Sequence, residues 1–167
     1  VMTNMSVCAC GRTRVRRRDA AMLKLIPPLL TPDALHALAS MGHGDELAIV
    51  DANFPAARVA AARGARLVQV AGADAPALLQ AVLAVLPLDD FGPTAAWTMQ
   101  VVGDSAALPP PVAEFQRLLR AAGERDAVPL ERFAFYERAS AAFAILRSGE
   151  PRRYGNLLLR KGVVDAA

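Results

Sequence analysis

Apolar positions along this chain fall into short blocks whose spacing alternates between helical and extended periods. A brief apolar stretch, 23–30, leads into Thr31-Pro32-Asp33, which reads as an N-cap hydroxyl, a first-turn proline and an early acid. Leu35, Leu38, Ala39 and Met41 follow at helical spacing, and Gly42 is a natural stop. Residues 46–51 (ELAIVD) form a short apolar run with a branched centre, which predicts a buried strand, and 67–70 predict a second. Asp74, with Pro76 two residues on, starts a predicted helix to about Val85, and 95–102 predict a third strand. Pro109-Pro110-Pro111 reads as a surface turn before an amphipathic helix over 112–122 that Gly123 ends. Residues 130–141 are helical by composition, 142–146 continue as a strand, and 156–160 make a last short strand. No repeat and no linker divides the chain. The alternation predicts an α/β fold, a single layered α/β/α domain over 22–167 with a mainly parallel or mixed sheet.

Composition narrows the partners. A hydrophobic fraction of 54% against 21% charged residues is an ordinary globular balance. No apolar run reaches the roughly 18 residues of a membrane span, since Gln80 and Pro87 break 77–88, so a soluble, cytoplasmic protein without a membrane partner is expected. The net charge of +3 suggests nucleic acid until its location is read. Five arginines against Asp19 give residues 1–21 a charge of +4, which leaves −1 for everything beyond. The body therefore carries no nucleic-acid signature. Cys8 and Cys10 lie in the same segment, so the body has no thiol chemistry. Residues 1–21 could be a targeting peptide or a nucleic-acid arm; a basic, disordered extension before a start at Met22-Leu23-Lys24 is the favoured reading.

Candidate chemistry clusters where such folds place their sites, in loops at element ends. His43 sits between Gly42 and Gly44, which leave the backbone free and open to a ligand, although a histidine after a helix is commonly a cap or surface residue. Asp51 closes the 46–51 run, where it either emerges into a pocket or forms a turn. Eight residues separate the two, and the strand between them could bring both to one pocket. Arg132 and Tyr136, four apart, would share a helix face; alternatively the aromatics are core and the arginine solvated. Tyr154 and Asn156 flank Gly155 in a turn before the last strand. His36 and His43 are the only histidines, which disfavours a metal site, and no cofactor motif is present.

Taken together, Met41-Gly42-His43-Gly44-Asp45-Glu46, Asp51-Ala52-Asn53-Phe54-Pro55, Arg132-Phe133-Ala134-Phe135-Tyr136-Glu137-Arg138-Ala139 and Tyr154-Gly155-Asn156 resemble the motif series of the fucose-mutarotase/ribose-pyranase family. The resemblance runs from Met22 to about Val163 and is closer to the fucose branch, because the ribose branch lacks the 132–139 type of segment. Asn53 departs from the histidine frequent in that branch, and the prolines at 109–111 fall outside the series. The resemblance implies a cofactor-free sugar isomerase in which His43 transfers protons and Asp51, Arg132, Tyr136, Tyr154 and Asn156 contact the sugar. It also implies a free monosaccharide as ligand, L-fucose first and D-ribose second, and a homo-oligomer of ring form, often a decamer, with the pocket at a subunit boundary.

Those residue types suit mutarotation. Ring opening needs a base at the anomeric hydroxyl and an acid at the ring oxygen, and closure reverses both. Histidine, with an ordinary pKa of about 6.5, offers either form near neutrality, and the amide, phenol and guanidinium supply donors and an acceptor. A glycosidase would want two facing carboxylates instead. A non-catalytic sugar-binding module would keep Arg132, Tyr154 and Asn156 yet tolerate loss of His43.

Overall fold

A computed structural model describes residues 23–164; residues 1–21, with Cys8, Cys10 and the reading of that segment as an extension, lie outside the described residues, as does Met22. The elements in chain order are α1 (Pro32–Ser40), β1 (Glu46–Val50), α2 (Ala56–Arg63), β2 (Arg66–Val70), α3 (Ala75–Leu83) and β3 (Ala96–Met99), then α4 (Pro110–Ala121), β4 (Val128–Leu130), α5 (Arg132–Ala141), β5 (Ala144–Ser148) and β6 (Leu157–Arg160). The six strands form one sheet in the order β2-β5-β1-β6-β3-β4. β2, β5 and β1 are mutually parallel, as are β3 and β4, while β6 runs antiparallel between β1 and β3. The sheet is therefore mixed and mainly parallel.

Strand alternation builds two cores. On one face Leu47, Ile49, Val68, Leu146, Leu157 and Leu159 pack with residues of α1, α3 and α4. On the other, Ala48, Val50, Trp97, Ile145 and Leu158 pack with α2 and α5 through Val59, Phe135 and Ala139. With helices on both faces, β1, β5 and β6 are covered twice and read as continuous apolar runs rather than alternating ones. This is the predicted α/β/α layering.

Caps behave as the local chemistry requires. Thr31 Oγ1 accepts from Ala34 N at 3.2 Å, and Asp74 Oδ1 accepts from Ala77 N at 2.8 Å. The 109–111 stretch departs from expectation. Pro109 is the N-cap of α4, and Pro110 and Pro111 occupy its first turn, where a missing N–H costs nothing. Two further elements have no counterpart in the predicted string, α2 and β4.

Candidate active site

Five parallel strands share one C-terminal end, and β6 begins there, so loops from both directions converge above it. Asp51 leaves β1 at this end and Asn156 enters β6 beside it. Asn156 Nδ2 donates to Asp51 Oδ2 at 2.9 Å, and Asp51 N donates to Asn156 Oδ1 at 3.0 Å. Both side chains are buried, 3% and 1% exposed. The other carboxylate oxygen, Oδ1, accepts from Asn53 N and Phe54 N, each at 2.9 Å, which folds the loop before α2 into an aspartate-capped turn. Burial pushes the Asp51 carboxyl above the usual carboxylate range, against the lowering effect of those hydrogen bonds.

The loop between β5 and β6 supplies the next wall. A Cβ at Gly155 would lie 2.8 Å from Glu150 Cγ and 3.5 Å from Asp51 Cβ, so only glycine fits between the two acids. Tyr154 takes a left-handed backbone, φ 65°, a strained choice for a tyrosine that marks sites where geometry outweighs local comfort. Its phenol oxygen accepts from Val102 N at 3.4 Å and so reaches the loop after β3. Glu150 is fully buried; Arg152 clasps it through Nε at 2.7 Å and Nη2 at 2.8 Å, and bonds Glu114 at 2.6 Å. That clasp holds the Glu150 carboxyl below its ordinary value and the Arg152 guanidinium above its own.

Removing Arg152 should expose how much the clasp matters. Arg152→Ala leaves a buried carboxylate without its guanidinium, held only by the backbone N–H groups of position 152 and Ala75. The expected loss is about 2 kcal/mol at pH 7, less than for a fully enclosed pair because the arginine is over a third exposed. Glu150 has a depressed folded pKa, so its contribution is present above about pH 4.5 and fades as the pH falls below that. Denaturant titrations of both proteins at pH 7 and pH 4 should show a gap that narrows in acid; an equal gap at both would remove the ion pair from the account.

α5 completes the pocket. Glu131 caps it by accepting from Phe133 N at 2.7 Å, which fixes the helix start and sets Arg132 and Tyr136 toward the β1 end. Tyr136 tilts against Phe54 at 5.2 Å between ring centroids, so the tyrosine is half core and half wall. Arg132 lies 4.8 Å over the Phe133 ring, and its buried Nε has no hydrogen-bond partner, a vacancy rare in folded proteins. The resulting cavity, of about 160 Å³, is lined by Asp51, Asn53, Arg132, Tyr136, Tyr154 and Asn156, with Arg153, Phe54 and Met99. Asp51 is its one carboxylate, so the facing acids of a glycosidase are not assembled there. Asn53, the departure in the motif, is exposed at the rim and donates to Pro151 O at 3.3 Å.

Five of the six predicted site residues thus converge, and the sixth does not. His43 precedes β1 whereas Asp51 follows it. Five residues at roughly 3.3 Å each put about 17 Å of strand between the two ends. Within one chain β1 separates the pair instead of uniting it. At its own end His43 is half exposed, with Nε2 3.5 Å from Asp89 Oδ1 and its ring edge-on to Phe91 at 5.4 Å. Neither Asp89 nor Arg153 stood out in the sequence. Asp89-Asp90 reads as a polar turn before Gly92-Pro93, and nothing local tells which arginine of Arg152-Arg153 faces a pocket. Among the described residues, no three His, Cys, Asp or Glu side chains are grouped to hold a metal ion, and no helix is long and apolar enough to cross a membrane.

The profile of the RbsD / FucU transport protein family matches residues 24–164. The chain belongs to this family. The fucose mutarotase of Homo sapiens is 46% identical over 146 residues, spanning 85% of this chain and 94% of that protein. Among solved structures, the fucose mutarotase of Streptococcus pneumoniae in complex with L-fucose aligns with a TM-score of 0.78 at 36% identity, covering 86% of this chain and all of that one. RbsD of Bacillus subtilis, complexed with D-ribose, aligns at TM-score 0.65 over 81% of this chain and 95% of that one. At 18% identity it shows the common fold alone.

Proposed function

We propose that this chain catalyses the mutarotation of a free monosaccharide, L-fucose first, by acid–base ring opening without a cofactor. The observation that carries the reading is the cavity at the β1 end, in which Asp51, Arg132, Tyr136, Tyr154 and Asn156 converge. Identity of 43–46% to relatives named fucose mutarotase supports the choice of sugar. Arg132 lines the cavity and donates to sugar hydroxyls through its guanidinium, and the Tyr154 phenol donates or accepts beside it. The buried Asp51–Asn156 pair fixes the floor, leaving the second lone pairs of Asp51 Oδ2 and Asn156 Oδ1 and the second N–H of Asn156 Nδ2 for the ligand.

His43 serves the pocket of a neighbouring copy. The two ends of β1 point in opposite directions, so the histidine end of one subunit meets the cavity end of the next. That contact is head-to-tail, and head-to-tail contacts that close make rings. In the assembled site the imidazole takes the anomeric hydroxyl proton, the ring opens as its oxygen is protonated, and reclosure on the other carbonyl face gives the other anomer. A ring assembly and a place in the cytoplasm belong to this proposal, as does a single domain spanning 22–167.

Saturation-transfer NMR on equilibrated sugars tests the activity directly. The protein should speed α/β exchange of L-fucose at least about tenfold more than pyranose–furanose exchange of D-ribose. Acceleration of ribose exchange alone would move the chain to pyranase activity. No acceleration of either sugar by the folded protein would leave a sugar-binding module.

A further inference from the structure

The cavity at the β1 end is short of negative charge. Its one carboxylate, Asp51, is buried and already accepts from Asn53 N, Phe54 N and Asn156 Nδ2. Two guanidiniums, Arg132 and Arg153, line the same space. The lining therefore sets two positive charges against one negative, and the negative one faces the protein's own donors. Burial also pushes the Asp51 carboxyl upward, which works against its ionised form.

Neighbouring acids do not supply the missing charge. Arg152 is ion-paired twice, to Glu150 and Glu114. Arg153, one residue on, has no carboxylate within ion-pair reach among the described residues, and neither has Arg132. Glu131, which precedes Arg132, directs Oε2 to Phe133 N at 2.7 Å and Ala134 N at 3.3 Å and so caps α5. Asp104 shares a second cavity, of about 330 Å³, with Arg132, and its Oδ1 holds Ala106 N and Ala107 N. Arg153 is exposed at the rim, whereas Arg132 is half-buried against the Phe133 ring. One cation is thus open to solvent and the other sheltered.

We infer that this pocket accepts, alongside the neutral sugar, an aldose that carries a carboxylate on its exocyclic carbon, a hexuronate. The inference rests on the reading of the cavity as the sugar site. A carboxylate is planar and matches the guanidinium fork, which offers two parallel N–H donors to its two oxygens. It replaces the methyl group of a 6-deoxy sugar and adds only two oxygens, a small change for a cavity of about 160 Å³ with Arg153 at its rim. The chemistry is unchanged. The anomeric hydroxyl still loses its proton, the ring oxygen still gains one, and the bond between C1 and that oxygen breaks and reforms. The carboxylate sits on C5, outside the hemiacetal, and serves recognition alone. Arg153 is then the residue that sets preference between charged and neutral sugars.

Three sugars with one ring provide the test. L-fucose, L-galactose and L-galacturonate share the L-galacto configuration and carry methyl, hydroxymethyl and carboxylate at the same carbon. Anomer exchange is measured by saturation transfer, above the spontaneous rate of each sugar. L-galacturonate should show a kcat/KM about 10-fold above that of L-galactose, with the difference in KM. Added NaCl should lower the L-galacturonate value and leave that of L-galactose unmoved. Arg153→Gln should lower the ratio of the two about 10-fold. Calorimetric titration of the same pair reads the preference as a ratio of Kd, whether or not exchange is seen. Equal kcat/KM and equal Kd for the two sugars, from protein that exchanges L-fucose, overturn the inference; the arginines then meet a carboxylate of a neighbouring copy. A preference that survives both salt and Arg153→Gln overturns it as well, since charge at the rim is not its cause. If L-fucose is not exchanged, the parent reading fails, and the Kd ratio still decides the inference.

Discussion

His43→Ala and Arg132→Ala, each nearly inactive alone, should recover about a quarter of wild-type exchange when their subunits are dissociated, mixed in equal amounts and reassembled. The expectation follows from the position of β1. His43 lies before it and the cavity after it, so the proposed active site would draw its acid–base group and its sugar contacts from different copies. In a random 1:1 assembly, about half the sites take their histidine end from an Arg132→Ala subunit. About half of those take the cavity end from a His43→Ala subunit, and such sites are intact. Separately, each variant should fall by about 10²–10⁴-fold, the usual worth of one acid–base group or one essential positioning contact. The readout is saturation transfer on L-fucose before and after mixing. If the mixture stays at the level of the single variants, with both folded and assembled, His43 and the cavity do not combine across subunits.

Asp51→Ala should be among the most destabilising substitutions in the chain, at about 3–5 kcal/mol. One carboxylate satisfies three buried or half-buried donors: Asn53 N, Phe54 N and Asn156 Nδ2. Alanine leaves Asn53 N and Asn156 Nδ2 unpaired, at about 1–3 kcal/mol each before non-additivity, while Phe54 N keeps only its 3.2 Å bond to the carbonyl of residue 51, against a total stability of roughly 5–15 kcal/mol. Asp51→Asn should cost less, about 1–2 kcal/mol, since its oxygen still caps the turn while its amide faces the Asn156 amide donor to donor. The ionised state has its own cost. Burial raises the folded pKa, so the stability contributed by this group is present below its ordinary value of 3.8 and is lost as the pH rises through the raised value. Urea titration at one protein concentration, with unchanged slope, is the measurement. A loss below about 0.5 kcal/mol for Asp51→Ala would mean the junction of β1, α2 and β6 is held by other contacts.

Much of the architecture was legible because it is written locally. Thr31-Pro32-Asp33 and Asp74 with Pro76 mark helix starts that the structure uses as caps, and ELAIV reads as the doubly covered strand it is. The misses share a reason, which is that context reversed a local preference. The α2 segment alternates alanine with Arg58 and Arg63 and has no side-chain cap, so its pattern is weak; burial of Ala56, Val59 and Ala60 against α5 makes it a helix. β4 contains Pro129, which argues against a strand, yet it lies at the sheet edge, where a missing N–H does no harm. The strand expected at 142–146 forms at Ala144–Ser148, because its register is set by pairing with β1 and β2 rather than by its own composition.

The candidate site divides the same way. By itself the sequence determined the residue types, the helix on which Arg132 and Tyr136 share a face, the turn around Gly155 and the family to which these segments belong. Only the tertiary structure decided which of them meet. Asp51 and Asn156 are 105 residues apart and touch because β6 returns antiparallel beside β1, a pairing that no local signal encodes. His43 and Asp51 are eight residues apart and do not touch, because an extended strand converts sequence proximity into distance.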